Sequence, residues 1–292
     1  MDSSPQGILA GDPQVFRHNF DRQPYKFAHR LSGHPLFTRE RLIELAREMS
    51  RRPGDVYFDA GDVGVGQRWD TVPMTAFSAA ELLERVEQAG AWIVLRRAER
   101  FPEYAALLDQ CMAELEARSG RDFSRVMRLK TAIVFINSPR RVTSYHIDRE
   151  VNWLLQIEGE KTVHVFDRSD RAVLPEDELE RFWTVDNNAP VYRPEYEDRA
   201  LEFVLRPGEG LHIPVESPHW LRTGDRAAVS LGVNFHYLEH YRANVYRANY
   251  ALRRLGLQPT PPGQSAFRDA LKRAVVGPAL VVRRQFRGGT LM

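Results

Sequence analysis

From about Leu129 to Asn234 the chain reads as a succession of short β runs, TAIVFIN, VNWLLQI, KTVHVF, LEFVL, GLHIP and AVSLGVNF, separated by turn residues. Short strands in series, with no helical segment between them, point to an antiparallel sandwich or barrel. Helical periodicity is confined to the flanks. Thr38 is placed to N-cap a helix to about Ser50, with Leu42, Leu45, Ala46 and Met49 on one stripe. VYF after Pro53-Gly54-Asp55 reads as a short strand. Ser78-x-x-Glu81 is a capping box opening AAELLERVEQA, with Gly90 as its stop. AWIVL at 91–95 reads as a buried strand, and Pro102 begins a helix that ends by Gly120. The first 36 residues lack periodicity and read as irregular.

Beyond Asn234 the period becomes helical again. Leu238, Tyr241, Val245, Ala248, Leu252 and Leu255 recur at three- to four-residue spacing. QPTPPGQS then breaks the chain, and a last helix from about Ala266 carries Ala270, Leu271, Ala274 and Val275. The expected organisation is one α+β domain over residues 1–292, with an N-terminal α/β elaboration (1–128), a β core (129–236) and C-terminal helices (237–292).

Within the β region, TSYHIDRE at 143–150 sets His146 and Asp148 two residues apart. Alternation sends both to one face, with roughly 6.5–7 Å between their α-carbons. Some seventy residues later RPGEGLHIPVESPHWLRT leads through a turn, an apolar strand and a bend to His219. Two histidines and a carboxylate with the remaining positions open form the facial triad of non-haem iron(II) oxygenases. An HxD pair alone is weak evidence; followed by a late histidine in a β-rich region it is stronger.

If Glu158-Gly159 makes a two-residue turn, Gln156 faces Lys161 across a hairpin. Asn152, Leu154 and Gln156 then share the face of His146 and Asp148, and Lys161 joins them from the next strand. A buried ammonium is costly without an anion, and a bound dicarboxylate would satisfy it. In AVSLGVNFH one face is apolar (Val229, Leu231, Val233, Phe235), while the other is small or polar (Ser230, Gly232, Asn234, His236). The first suits packing under helices, the second a ligand cavity.

T-S-Y-H-I-D-x₃-N-W-L-L-Q-I-E-G-E-K, with PGEGLHIPxxxPHW and VNFH, resembles the JmjC/cupin-like Fe(II)- and 2-oxoglutarate-dependent oxygenases. The nearest subgroup is that of the asparaginyl hydroxylase factor inhibiting HIF and its bacterial cupin-like relatives; the N-terminal phrase HRLSGHPLF of this chain also resembles bacterial members of that group. The resemblance covers about residues 129–236 and implies a double-stranded β-helix (jelly-roll or cupin barrel) core flanked by N- and C-terminal helices. It implies iron ligation, and so the catalytic centre, at His146, Asp148 and His219. For 2-oxoglutarate it implies Lys161 and Thr143 at the distal carboxylate, with Asn152 and Asn234 near the iron-bound end. The family's tyrosine at the distal carboxylate has no counterpart.

The activity implied is oxidation with O₂ and decarboxylation of 2-oxoglutarate to succinate and CO₂. It would hydroxylate a protein or peptide side chain, or demethylate one where the carbon is an N-methyl. A homodimer through the C-terminal helices is also implied.

Composition is that of an ordinary globular protein, with 43% hydrophobic and 27% charged residues. No secretory signal and no apolar run of membrane-spanning length is read, and the single Cys111 suits a cytoplasmic protein. Residues 237–292 carry ten basic against two acidic side chains in a chain of net charge +2, a basic surface that suits terminal helices or an acidic partner. The rival readings are a small-molecule hydroxylase, a metal-binding cupin without 2-oxoglutarate, and a non-catalytic regulatory module. No helix-turn-helix or zinc-finger pattern supports nucleic-acid binding. His164 and His212 read as packing histidines, His236 as a candidate contact, Tyr145 and Arg149 as entrance residues. Arg222 and Arg226 are alternative anion clamps.

Overall fold

The structure is a computed structural model that describes residues 7–72, 75–238 and 241–275. Twelve strands appear among them: β1 (Leu9–Ala10), β2 (Tyr25–His29), β3 (Val56–Ala60), β4 (Ala91–Leu95), β5 (Met127–Asn137), β6 (Val142–His146), β7 (Val151–Glu158), β8 (Lys161–Val165), β9 (Leu201–Leu205), β10 (Glu209–Ile213), β11 (His219–Thr223) and β12 (Ala228–Tyr237). They form an eight-stranded sheet, β1-β2-β10-β7-β12-β5-β4-β3, and a four-stranded sheet, β6-β11-β8-β9. Every paired neighbour is antiparallel. This is the expected jelly-roll arrangement.

Helices α1 (Pro13–Asn19), α2 (Arg39–Met49), α3 (Ala79–Glu84), α4 (Pro102–Ser119) and α5 (Phe123–Val126) precede β5 in the chain; α6 (Glu176–Thr184) follows β8 and α7 (Tyr241–Arg254) follows β12. Local chemistry explains the well-formed helices. Thr38 accepts a hydrogen bond from Arg41 N, and Ser78 and Glu81 close both halves of the capping box. Pro102 opens α4, and Gly120 closes it in the left-handed region at φ 66°. Leu42, Leu45, Ala46 and Met49 are buried as their stripe predicts.

Two compact units divide the chain: Met1–Arg168 with Tyr192–Leu238, and Ser169–Val191 with Glu239–Met292. In the first, the outer face of the large sheet (Val229, Leu231, Val233, Phe235) joins α2, α4 and the N-terminal aromatics in one apolar core. A smaller cluster, Leu154, Val163, Val165, Leu205, Leu211, Ile213 and Leu221, draws on both sheets and lines the space between them. In the second unit α6 and α7 are joined by Arg253, which grips the Glu180 carboxylate with contacts of 2.7 and 2.9 Å.

Several expectations are corrected. The N-terminal segment read as irregular forms β1, α1 and β2 between Leu9 and His29. Asp12 caps α1 with Pro13 at its first turn, and Tyr25, Phe27 and His29 alternate inward along β2, which pairs with β10. These elements are too short for periodicity to reveal and are held by the sheet they extend. The strand series, read as having no helix within it, contains α6 between β8 and β9. Gln156 and Lys161 do not face each other in a hairpin: β7 lies in the large sheet between β10 and β12, β8 in the small one between β11 and β9. The Gly159-Glu160 link crosses between sheets, a route that strand alternation cannot distinguish from a hairpin. Gly159 sits at φ 68°, where an added Cβ would stand 2.3 Å from the Ala227 carbonyl oxygen.

In the C-terminal stripe Val245 and Ala248 are buried, but Leu238 and Leu255 are exposed. Ala270, Leu271, Ala274 and Val275 are exposed on a helical stretch, 266–275. Arg283, Arg284 and Arg287 of the basic tail lie outside the described residues. No helix among the described residues is long and apolar enough to cross a membrane.

Candidate metal centre

His146 ends β6, Asp148 follows two residues later, and His219 begins β11. His146 and His219 are directly paired across the β6–β11 ladder. Asp148 reaches both: its Oδ1 lies 3.9 Å from His146 Nε2, and its Oδ2 lies 3.6 Å from His219 Nε2. One donor atom from each residue falls within 4.8 Å of the others, a grouping that could hold a metal ion.

The second nitrogen of each imidazole is already engaged. His146 Nδ1 is 2.7 Å from Ser144 O, and His219 Nδ1 is 2.9 Å from Ser217 O. A carbonyl only accepts, so each Nδ1 carries the proton and each Nε2 keeps its lone pair, the tautomer a metal requires. Burial pushes His219 well below its ordinary range, reinforced by His146, which favours the neutral ring. Asn152 Nδ2 approaches Asp148 Oδ2 at 3.4 Å and orients the carboxylate.

Asn152 and Asn234 are paired across β7 and β12, and the Oδ1 of each is buried without a hydrogen-bond partner among the described residues. Gly232, beside Asn234, keeps this wall clear: a Cβ there would stand 3.0 Å from Phe135 and 3.4 Å from Asn234 Oδ1. Ser230 is spent on structure, donating to Gln156 Oε1, while the Gln156 amide holds the carbonyls of Glu158 and Gly159. Gln156 therefore clamps the sheet-crossing turn.

Thr143 stands three residues before His146, which plain alternation would put on the opposite face. A register shift resolves this. His219 pairs with His146 and Leu221 with Thr143, so two β11 intervals correspond to three on β6. Leu221 belongs to the interior cluster, and Thr143 turns inward with it.

Lys161, at the start of β8, shares its face with Val163 and Val165 of the interior cluster. It is 3% exposed, and no hydrogen bond or ion pair reaches its ammonium among the described residues. The Phe135 ring lies 5.9 Å away. Burial pushes Lys161 down to about 7. Val165 is opposite His219, so Lys161 lies four residues, roughly 13 Å, along the small sheet from the histidines. The inward orientation is as expected, although the hairpin that suggested it does not exist.

Other candidates fall outside. His164 stacks on Trp220 at 3.9 Å and pairs with Glu197 at 2.8 Å on the outer face of the small sheet. His212 is a satisfied core residue: it accepts from Asp21 N, and its other nitrogen meets Asn152 O. His236 pairs with Glu150 at 3.0 Å. Tyr145 is buried against Phe166 and Tyr192. Arg222 and Arg226 are exposed, and Arg222 lies over Trp220, so neither clamps an interior anion. Thr223 and Asn137, absent from the sequence-derived candidates, are buried polar residues whose Oγ1 and Oδ1 lack partners among the described residues. Neither stands in a motif.

The family model for the cupin-like domain matches residues 53–243. The chain belongs to the cupin-like domain family. No curated protein matches the sequence. Among solved structures, that of Escherichia coli YcfD superposes with a TM-score of 0.55 at 14% identity, covering 95% of this chain and 69% of that one. A second, described as Escherichia coli ribosomal oxygenase YcfD, gives 0.50 at 14% identity over 95% and 68%. At this identity the likeness establishes a shared fold.

Proposed function

We propose that the protein is an iron(II)- and 2-oxoglutarate-dependent dioxygenase that hydroxylates a side chain of a protein or peptide. The observation that carries the reading is Lys161, a buried residue whose ammonium has no anionic partner among the described residues, on the interior face served by the His-Asp-His group. Such a group is costly until an anion meets it. An anion between Lys161 and a metal spans the interior, as an extended 2-oxo diacid would.

The donor set fits iron(II): two Nε2 lone pairs and one carboxylate leave coordination positions open. When bound, iron(II) supplies the oxidative decarboxylation of 2-oxoglutarate by O₂ to succinate and CO₂, coupled to hydroxylation of a C–H bond. The chain's own residues bind and orient. Lys161 and Thr143 hold the distal carboxylate, while Asn152 and Asn234 use their amides at the metal end. Leu154, Val163, Leu211 and Leu221 keep water from the space between.

The seven matching positions support a place near the asparaginyl-hydroxylase subgroup, and the fold shared with a ribosomal oxygenase supports a protein substrate by analogy. A homodimer is supported by apolar side chains exposed on 266–275, among them Phe267 at 79% and Val275 at 66%; light scattering at the monomer mass would refute it. A cytoplasmic location rests on the single buried Cys111.

The deciding experiment is anaerobic titration of the Fe(II)-loaded protein with 2-oxoglutarate, followed by calorimetry and visible absorption. Saturable chelation that weakens strongly in Lys161→Ala is expected. Absence of binding by the wild type overturns the reading.

A further inference from the structure

The family resemblance leaves the distal carboxylate one contact short, because no tyrosine occupies the family's position. Thr223 stands where a contact is needed. It is the direct cross-strand partner of Lys161 on β11, so the two side chains share a face with Cβ atoms roughly 5 Å apart. Thr223 is 2% exposed, and its Oγ1 has no hydrogen-bond partner among the described residues. Its backbone N–H is used, donating to Arg141 O at 2.9 Å, so only the hydroxyl is idle.

The neighbouring positions agree. Leu221, two residues earlier on β11, is opposite Thr143, which places Thr143 and Thr223 on one inward wall beside Lys161. Asn137 Nδ2 approaches Thr143 Oγ1 at 3.5 Å and takes an acceptor lone pair, leaving the Thr143 O–H to donate. Valine would fill the Thr223 site with the same shape and no unpaired polar atom. The hydroxyl is therefore an unspent donor in an apolar interior, next to an unspent ammonium.

We propose that Thr223 donates a hydrogen bond to the distal carboxylate of the cosubstrate, completing with Lys161 and Thr143 a three-point anion subsite that selects a 2-oxo dicarboxylate. The inference rests on the oxygenase reading above. The carboxylate accepts from the two hydroxyls and the ammonium, and no proton leaves the protein.

The test is anaerobic calorimetry on the Mn(II)-loaded protein with 2-oxoglutarate and with oxalate, which offers the metal-chelating end alone. Wild type, Thr223→Val and Thr223→Ser are compared, with thermal melts of each unliganded protein. Thr223→Val is expected to weaken 2-oxoglutarate about tenfold and to leave oxalate unchanged, with Thr223→Ser restoring affinity. The unliganded valine variant is expected to melt no lower than wild type.

Equal affinity of wild type and Thr223→Val for 2-oxoglutarate overturns this proposal and leaves the oxygenase reading standing. A parallel loss for oxalate, or a lowered melting temperature, also overturns it, because the hydroxyl then serves the fold. Saturable oxalate binding without 2-oxoglutarate binding in the wild type overturns both.

Discussion

His146 and His219 are opposed across the β6–β11 ladder, with ring centroids 4.2 Å apart and planes inclined by 51°. Each ring is held through Nδ1 by a carbonyl two residues upstream, so both Nε2 atoms are aimed before any ion arrives. Alanine at His146, Asp148 or His219 is therefore expected to lower metal affinity more than about a hundredfold, beyond what loss of an orienting partner costs. Titration with Fe(II), Mn(II) or Co(II), beside circular dichroism to verify folding, measures this. Unchanged affinity in any one variant would remove that residue from the site.

Lys161→Ala is expected to cost about 2–5 kcal/mol of 2-oxoglutarate binding, the range for truncating one member of a buried charged pair. Arg222→Ala is expected to have no effect, since Arg222 is exposed above Trp220. Calorimetry on both variants separates an interior from an outer clamp. An effect of Arg222→Ala matching that of Lys161→Ala would place the anion elsewhere.

Burial pushes Lys161 down to about 7, from an ordinary value of 10.5. Between those limits the unfolded chain binds the extra proton, so this residue's penalty is full below about pH 7 and relieved as pH rises toward 10.5. Lys161→Met is accordingly expected to raise the melting temperature of the unliganded protein most at or below pH 7, with the gain shrinking by pH 10. Binding of the diacid should take up a proton above pH 7, read by calorimetry in buffers of different ionisation enthalpy. A pH-independent gain would contradict a buried ammonium.

Burial also holds His29 and His212 down at about 4, against the usual 6.5. Here the unfolded chain binds more protons between pH 4 and 6.5. The stability each contributes is full above about 6.5 and is lost as pH falls toward 4. Urea unfolding of the wild type should therefore weaken across that window, and His212→Gln should flatten the dependence by about one proton. Identical slopes would mean His212 is charged in the fold.

Gly159→Ala is expected to destabilise the protein by about 2 kcal/mol or more, since it combines a left-handed backbone with a Cβ driven into the Ala227 carbonyl. Denaturant unfolding measures the loss. A neutral result would show that the crossing between sheets relaxes at little cost.

Much of this architecture was legible in local chemistry. The capping box at Ser78, the Thr38 cap and the Pro102-to-Gly120 helix depend on contacts within a few residues, and each formed where its chemistry indicated. The two-faced β12 was equally readable, because a period of two follows from the backbone. The N-terminal strands escaped because Tyr25–His29 is stabilised by β10, nearly two hundred residues away. α6 did carry a local signal, Pro175 before an acidic first turn with Leu179, Phe182 and Trp183 at helical spacing, and it was not read.

For the site, sequence alone determined which side chains were available: an HxD pair, a late histidine, and a lysine whose alternation directs it to a strand's buried face. Tertiary structure decided which strands face which. It separated β7 from β8 into different sheets, turned Thr143 inward through a register shift against β11, and set Thr223 opposite Lys161. Alternation is a property of one strand's backbone, whereas pairing and register are settled by long-range burial summed over the whole interior.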